Sequence, residues 1–203
     1  MLDPPAHDDP RTDEELIALS ALGDRRAFDR LVERHAAAVY RLTNVMTGDP
    51  MTAEDALQQT FLSAYRHASS FRSEASVRTW LLAIARNAAL RLRSKRGSED
   101  VVEEPLLQLG LDAGWGTDDP EALAIAAERN QLLRSAMAEL CREDQEVLIL
   151  RDVEGLSGIE AAEVLGIGER ALKSRLHRAR LRLAGALRAA LAPDSAEGRG
   201  GRR

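Results

Sequence analysis

Residues 157–183 read SGIEAAEVLGIGERALKSRLHRARLRL, and they leave the chain few ways to fold. Ser157, with Glu160 three residues on, has the spacing of a capping box, in which two orphan backbone N–H groups are satisfied reciprocally at a helix start. Gly166 sits where the chain must turn with positive φ, a conformation that glycine adopts without steric cost. Beyond it Leu172, Leu176, Ala179 and Leu183 recur every three or four residues, the apolar stripe of a second, longer helix. A short helix, a glycine turn and a longer helix is the sequence form of a helix-turn-helix. Ala162 is small where the two helices cross, and Leu165 and Ile167 flank the turn and fill its corner. The stripe leaves Arg170, Ala171, Lys173, Ser174, His177 and Arg178 facing outward, in the N-terminal half that enters a DNA major groove in such motifs.

A basic amphipathic helix is also a common solvated face of a bundle. The capped first helix, the Ala162–Gly166 spacing and the near absence of acids on the face favour nucleic acid. Arginine pairs bidentately with guanine, and serine or lysine reaches base edges and phosphates. His177 has no ligand-spaced partner and reads as a surface residue or a phosphate contact.

Net charge hides this surface. The 203-residue chain carries a formal charge of −5, but the charge is sorted into blocks. Residues 77–96 hold six bases and no acid, residues 98–123 eight acids and no base, and residues 169–188 seven bases against one acid. Blocks of this kind say more about partners than their sum.

The helical period recurs along most of the chain. Hydrophobic residues make up 44% and aromatics only 3%, so the cores are aliphatic and the fold is all-α. Residues 1–12 have no apolar period and are expected to be disordered. Thr12 or Asp13 caps a short helix, which breaks at Gly23–Asp24. Phe28, Leu31, Val32, His35, Val39 and Leu42 stripe a longer one, ended by Gly48–Pro50. Thr52 is expected to cap a third helix. It buries Ala53, Ala56, Leu57, Thr60, Phe61 and Ala64, and exposes Glu54, Asp55, Gln58 and Gln59. A fourth spans residues 77–96, with Val77, Leu81, Ile84, Ala85, Ala88 and Leu92 inward and Gly97 after it. Residues 13–97 thus form one helical domain, 98–122 a flexible acidic linker, 123–190 a second domain and 191–203 a disordered tail. In the second domain one helix covers 120–140, another runs from residue 142 to Gly155, and the helix-turn-helix follows.

The first domain carries its own cationic constellation. Phe71 and Trp80 lie among Arg72, Arg78, Arg86, Asn87 and Arg91, and rings that stack on bases beside cations that hold phosphates suit single-stranded nucleic acid. Trp80 serves equally as a core residue, since Leu81 and Ile84 also point inward. One lone cysteine, Cys141, cannot form an internal disulfide and reads as a buried spectator. Four scattered histidines and no phosphate-binding glycine loop give no metal site, no cofactor and no catalytic set. No stretch is apolar enough to span a bilayer, and the acidic N-terminus is unlike a secretory signal, so a cytoplasmic protein is expected.

Three segments, GDRRAFDRLVERHAAAVYRL, AEDALQQTFLSAYRHASSFRSEASVRTWLLAIARNAALRLR and QEVLILRDVEGLSGIEAAEVLGIGERALKSRLHRARLRL, occur in that order. In this pattern the chain resembles bacterial RNA polymerase sigma factors of the extracytoplasmic-function (ECF) class, group four of the sigma-70 family, from about Thr12 to Leu187. The resemblance implies a region 2 bundle and a region 4 helix-turn-helix. It implies that Asp55, Gln58, Gln59 and Phe61 dock on the β′ clamp of core polymerase, while the second domain meets the β flap. It gives Phe71, Arg72, Arg78, Trp80, Arg86, Asn87 and Arg91 to recognition and opening of the promoter −10 element. It gives Arg170, Lys173, Ser174, Arg175, His177 and Arg178 to the −35 element. An anti-sigma factor is implied as an inhibitory partner, and the acidic linker is implied to thread the polymerase cleft. Gln59 stands where the family often has Glu, and Gly168–Ala171 departs from the Pro-Val-Gly-Thr turn. The competing reading is a dimeric helix-turn-helix regulator in which residues 1–97 sense a ligand or dimerise.

Overall fold

A computed structural model of the protein describes residues 9–96 and 120–191. Gly97, residues 98–119 of the expected linker, residues 1–8 and the tail from 192 lie outside the described residues. Eight α-helices, and no strand, occur among those described: α1 Asp13–Ala21, α2 Arg25–Thr47, α3 Pro50–His67, α4 Val77–Arg96, α5 Pro120–Ala138, α6 Arg142–Leu148, α7 Gly158–Leu165 and α8 Glu169–Leu191.

Local signals set the boundaries in the first group, α1–α4. Thr12 and Glu15 form the reciprocal capping box of α1. The Asp24 carboxylate accepts from the Ala27 N–H at 3.2 Å and starts α2. Gly48, in the left-handed region at φ 69°, ends α2. Asp49, not Thr52, caps α3: its carboxylate accepts the Thr52 N–H at 2.9 Å and also the Thr52 hydroxyl. Pro50 therefore opens α3 rather than closing α2, as suits a residue with no N–H at a first helical position.

α2, α3 and α4 pack together around Leu31, Val39, Leu42, Leu81 and Leu82, each at most 1% exposed. Burying a side chain of this kind stabilises by about 1.5–3 kcal/mol. Ala53, Ala56, Ala64, Ala85 and Ala89 are fully buried and let the helices approach closely. Phe28 stacks edge-on against Phe61 and Tyr65, with centroids at 6.3 and 5.0 Å. Residues 9–12 are not disordered. Arg34 donates to the Asp9 and Arg11 carbonyls at 2.7 and 2.9 Å, and to the Asp13 carboxylate at 2.8 Å. Buried His35 meets the other Asp13 oxygen at 2.7 Å, which ties α1 to α2. These contacts hold the Asp13 carboxyl down at about 2, His35 contributing most and Arg34 next, against the opposing effect of burial.

The second group, α5–α8, is built on Val147, Leu148, Ile149, Leu150, Ala161, Leu165 and Leu172, all 2% exposed or less. Gln145 donates its amide to the Met137 and Leu140 carbonyls at 2.8 and 3.1 Å, satisfying acceptors at the end of α5. α6 does not run as one α-helix to Gly155. It passes into a π-helical turn over Ile149–Val153, where the Glu154 N–H reaches back to Ile149 O at 2.8 Å. That wider turn precedes Gly155, at φ 68°.

The two groups are not beads on a strap. Their buried apolar residues form one continuous cluster, with α7 packed on α4 and α6 on α2.

Candidate nucleic-acid interface

The helix-turn-helix forms as its caps dictate. The Ser157 hydroxyl accepts the Glu160 N–H at 3.2 Å, and Glu160 returns the bond to the Ser157 N–H at 2.9 Å. Gly166 turns at φ 62°, and the Ile167 N–H closes on Ala162 O at 3.0 Å. Leu172, Leu176 and Ala179 are buried, with Leu183 half-buried below them. Arg170, Ala171, Lys173, Ser174, His177 and Arg178 are all exposed, and Arg175 is half-buried. A rigid, one-sided cationic helix results, with its N-terminal half open to a groove.

Lower on α8 the cations turn to acids of their own group. Arg180 grips Asp152 with two bonds, at 3.0 and 2.5 Å, and Arg182 reaches Asp144. These pairs buttress the helix and leave the upper cations available. Cys141 is exposed, not buried: it stands just before α6 with its sulfur 3.9 Å from Arg182. Burial of its surroundings pushes the thiol above its ordinary range.

The first group's candidates fall on two faces of α4. Trp80, Asn87 and Arg91 share one stripe, by the helical repeat. The Trp80 ring tilts against Phe71 with centroids 5.3 Å apart, so Trp80 is half-buried and half-presented. Phe71 opens a loop in which Arg72, Ser73 and Glu74 are exposed. Ser73 has φ 56°, rare for a residue with a side chain, and such strain is often held at a working loop. Below, Arg91 and Lys95 line a groove with Gln59, Leu62, Arg66 and His67 of α3.

Arg78 and Arg86 lie on the other stripe, and that stripe meets the second group. Arg78 is bonded to Glu154, and Arg86 comes within 3.9 Å of where a side chain on Gly166 would begin. The composition of the sequence places all seven residues on one basic surface; the structure divides them. Glu154 carries no sequence signal of a partner, since Arg78 and Arg41 lie 76 and 113 positions away; Glu160, besides its local bond to Ser157, reaches Thr79, 81 positions away.

On α3, Asp55, Gln58 and Gln59 are exposed as expected. Phe61 is not: it is 8% exposed and packs on Phe28. Leu62, one residue on and 50% exposed, shares their face, with Asp55, Gln58, Gln59 and Leu62 at its i, i+3, i+4 and i+7 positions. Among the described residues no cluster of ligating side chains can hold a metal ion, and no helix is long and apolar enough to cross a membrane.

Residues 31–99 match the family Sigma-70 region 2, and residues 130–183 match Sigma-70, region 4. The class is thus a sigma factor with its two DNA-facing regions in order. SigM of Mycobacterium tuberculosis, an ECF RNA polymerase sigma factor, is 38% identical over 175 residues, 86% of this chain and 84% of its own. The solved structure of CnrH in complex with the cytosolic domain of CnrY is similar with a TM-score of 0.60 and 27% identity, over 87% of this chain and 97% of that one. The sigma factor RpoE in complex with the anti-sigma factor NepR, from Bartonella quintana, gives 0.62 and 26%, over 79% and 96%. The chain belongs to the ECF RNA polymerase sigma factors.

Proposed function

We propose that this sigma factor joins core RNA polymerase through the Asp55, Gln58, Gln59 and Leu62 face of α3 and reads a two-element promoter. α8 presents Arg170, Lys173, Ser174, Arg175, His177 and Arg178 to the −35 major groove. The Phe71 loop, Trp80, Asn87 and Arg91 receive unstacked bases of the −10 element, with Arg72, Arg78 and Arg86 for phosphates. The observation that carries this is the outer face of α8, exposed at Arg170, Lys173, Ser174, His177 and Arg178, on a helix whose inner face is buried.

Most binding energy comes from neutralised phosphates and is sequence-independent. Base choice comes from groove contacts and captured bases. Extruding a base costs a few kcal/mol, offset by ring and guanidinium contacts available only in the opened strand. The chain supplies no catalytic group; polymerase does the chemistry, in the cytoplasm.

An anti-sigma factor is a second partner in this reading, supported by the complexes in which CnrH and RpoE are similar to this chain. Residues 13–97 and 123–190 act as the two working domains, with the acidic segment between them passing through the polymerase cleft. The Sigma-70 region 2 match over residues 31–99 speaks against a ligand-sensing or dimerising domain there.

Run-off transcription with core polymerase over a genomic promoter library tests the reading. Initiation dependent on the added chain is expected, and its absence without an inhibitor present overturns it. Asp55→Ala is expected to weaken core binding while leaving the DNA affinity of the free chain unchanged.

A further inference from the structure

Between the C-terminal halves of α3 and α4 lies a groove of about 390 Å³. Small-molecule sites run from about 300 to 1,000 Å³. α3 lines it with Gln59, Leu62, Ser63, Arg66 and His67, at the i, i+3, i+4, i+7 and i+8 positions of one stripe. α4 adds Arg91, Leu92 and Lys95 from its last turns.

Among the described residues no acid lines this groove. α4 has none anywhere in its sequence, and the two acids of α3, Glu54 and Asp55, lie in its first half. The groove thus differs from the foot of α8, where Arg180 and Arg182 are each paired with an acid. Two of its side chains are steered from within. Arg91 Nε donates to the Asn87 carbonyl at 3.1 Å, which leaves the two terminal amino groups of its guanidinium for another acceptor. His67 Nδ1 lies 2.8 Å from the Ser63 carbonyl; a carbonyl only accepts, so this nitrogen carries the proton and Nε2 is left.

The lining asks for more than charge. Leu62 is 50% exposed, and Leu92 is half-buried across from it. An inorganic anion makes no use of these leucines. A nucleotide uses the whole groove: phosphates on the cations, the flat base on the leucines, and the base edge on the Gln59 amide, which both donates and accepts. Gln59 and Arg66 are about 10 Å apart along the helix, at about 1.5 Å per residue, so base and phosphates can be held at once. A terminal phosphate brings about −1.5 to −2 at neutral pH and an inner one about −1, which the cations of Arg66, Arg91 and Lys95 answer.

We propose that the α3–α4 groove binds a free nucleoside di- or triphosphate, with Arg66, Arg91 and Lys95 on the phosphates and Leu62, Leu92 and Gln59 on the base. A DNA strand fits less well, because Gln59 and Leu62 belong to the face that core polymerase covers. That choice of a free nucleotide over a strand rests on the core-docking assignment above. Arg91 is shared with the stripe assigned to the −10 strand, so a bound nucleotide competes with that strand.

The test uses the full chain. ADP and GDP are titrated in turn by calorimetry at low salt, with pyrophosphate as the phosphate half alone. Saturable one-to-one binding of at least one nucleotide is expected. Arg66→Ala and Lys95→Ala are each expected to weaken it about tenfold, as the loss of a charge-assisted bond does. Both positions are exposed, so the fold is retained. Arg188→Ala, at an exposed cation of α8, is the control.

No saturable binding of either nucleotide up to about 1 mM overturns the proposal. A loss for Arg66→Ala no larger than that for Arg188→Ala overturns the groove as the site. Pyrophosphate bound as tightly as ADP overturns the nucleotide, because the leucines and Gln59 then contribute nothing. A mixed-sequence single-stranded DNA 20-mer weakened by Arg66→Ala, while neither nucleotide binds, gives the groove to a strand instead. The nucleotide that binds is also expected to lower the affinity for the 20-mer. Nucleotide binding that leaves the 20-mer untouched supports the site and sinks the assignment of Arg91 to the −10 strand. Normal run-off transcription by a chain that binds no nucleotide sinks the site and keeps the promoter-reading assignment.

Discussion

α4 and α8 are both basic, one-sided helices of similar length, yet they are used differently. α8 keeps its outer face clear through its upper half, with Arg170, Lys173, Ser174, His177 and Arg178 exposed. Its lower cations are tied to Asp152 and Asp144 of its own group. α4 has two outer stripes. The Trp80–Asn87–Arg91 stripe is open, while on the other stripe Arg78 is bonded to Glu154 and Arg86 lies against the Gly166 turn of the other group. A run of cations marks where a polyanion is welcome; what occupies the place is decided by the rest of the fold. Acids of its own group brace α8, whereas an acid of the other group covers part of α4.

The strongest way to break the contrast is to remove the platform under α8 without touching a charge. Leu172 is 1% exposed beneath the recognition face. Leu172→Ala is expected to cost about 2–5 kcal/mol of second-domain stability, as buried leucine truncations do. Denaturant unfolding with circular dichroism measures it, and −35-dependent initiation should fall with it while α1–α4 keep their helicity. If the whole chain unfolds in one step at lower denaturant, the interface between the groups couples them more tightly than two domains that open separately would allow.

Next in size are the outward contacts themselves. Lys173→Ala and Arg178→Ala are each expected to cost about 1–3 kcal/mol if the side chain reads a base, with relaxed preference at one promoter position. A uniform loss on all sequences, with a salt slope reduced by about one, assigns that side chain to phosphate. Titrations of promoter and scrambled duplexes by holoenzyme over a salt series separate the two.

How much of this was legible depends on sequence distance. The Ser157–Glu160 box, the Gly166 turn and the α8 stripe are local, so their signals survive in the sequence as written. Asp49 took the cap from Thr52 because both are good caps, and Pro50 settled the matter by fixing the first helical position. Helical spacing already put Phe61 on the buried stripe of α3, where it packs on Phe28; only the family resemblance had counted it among the docking residues. Arg41–Glu154 spans 113 positions, and no local pattern announces such a pair. The residues at 9–12 lacked an apolar period because backbone carbonyls and carboxylates, not a hydrophobic face, hold them to Arg34.

A smaller effect distinguishes the bracing of the two groups. Asp13 is held down at about 2 by His35 and Arg34, from an ordinary value of 3.8. A depressed carboxyl contributes stability above its unfolded pKa and loses it as pH falls through the folded one. The α1–α2 brace should therefore be intact at pH 5 and be lost between about pH 4 and pH 2. Asp13 is partly solvated, so no more than about 1 kcal/mol is expected after screening. Asp13→Asn should lower stability at pH 6 and flatten this part of the acid limb in a pH series of unfolding midpoints. An unchanged acid limb would mean that Asp13 keeps its partners in the unfolded chain.

The smallest change expected is at the foot of α8. Arg180→Ala removes a two-bonded pair with Asp152, but the arginine is 55% exposed and the aspartate 35%. Solvent screening and side-chain entropy reduce exposed pairs to about 0–1 kcal/mol. The unfolding midpoint should barely move, and −35 recognition should hold, because the upper face of α8 is positioned by Leu172, Leu176 and Ala179. A loss comparable with Lys173→Ala would place Arg180 on the DNA. Its pairing with Asp152 in the free chain would then have to give way on binding, and Arg180 would belong with the upper cations of α8 and not with the brace at its foot.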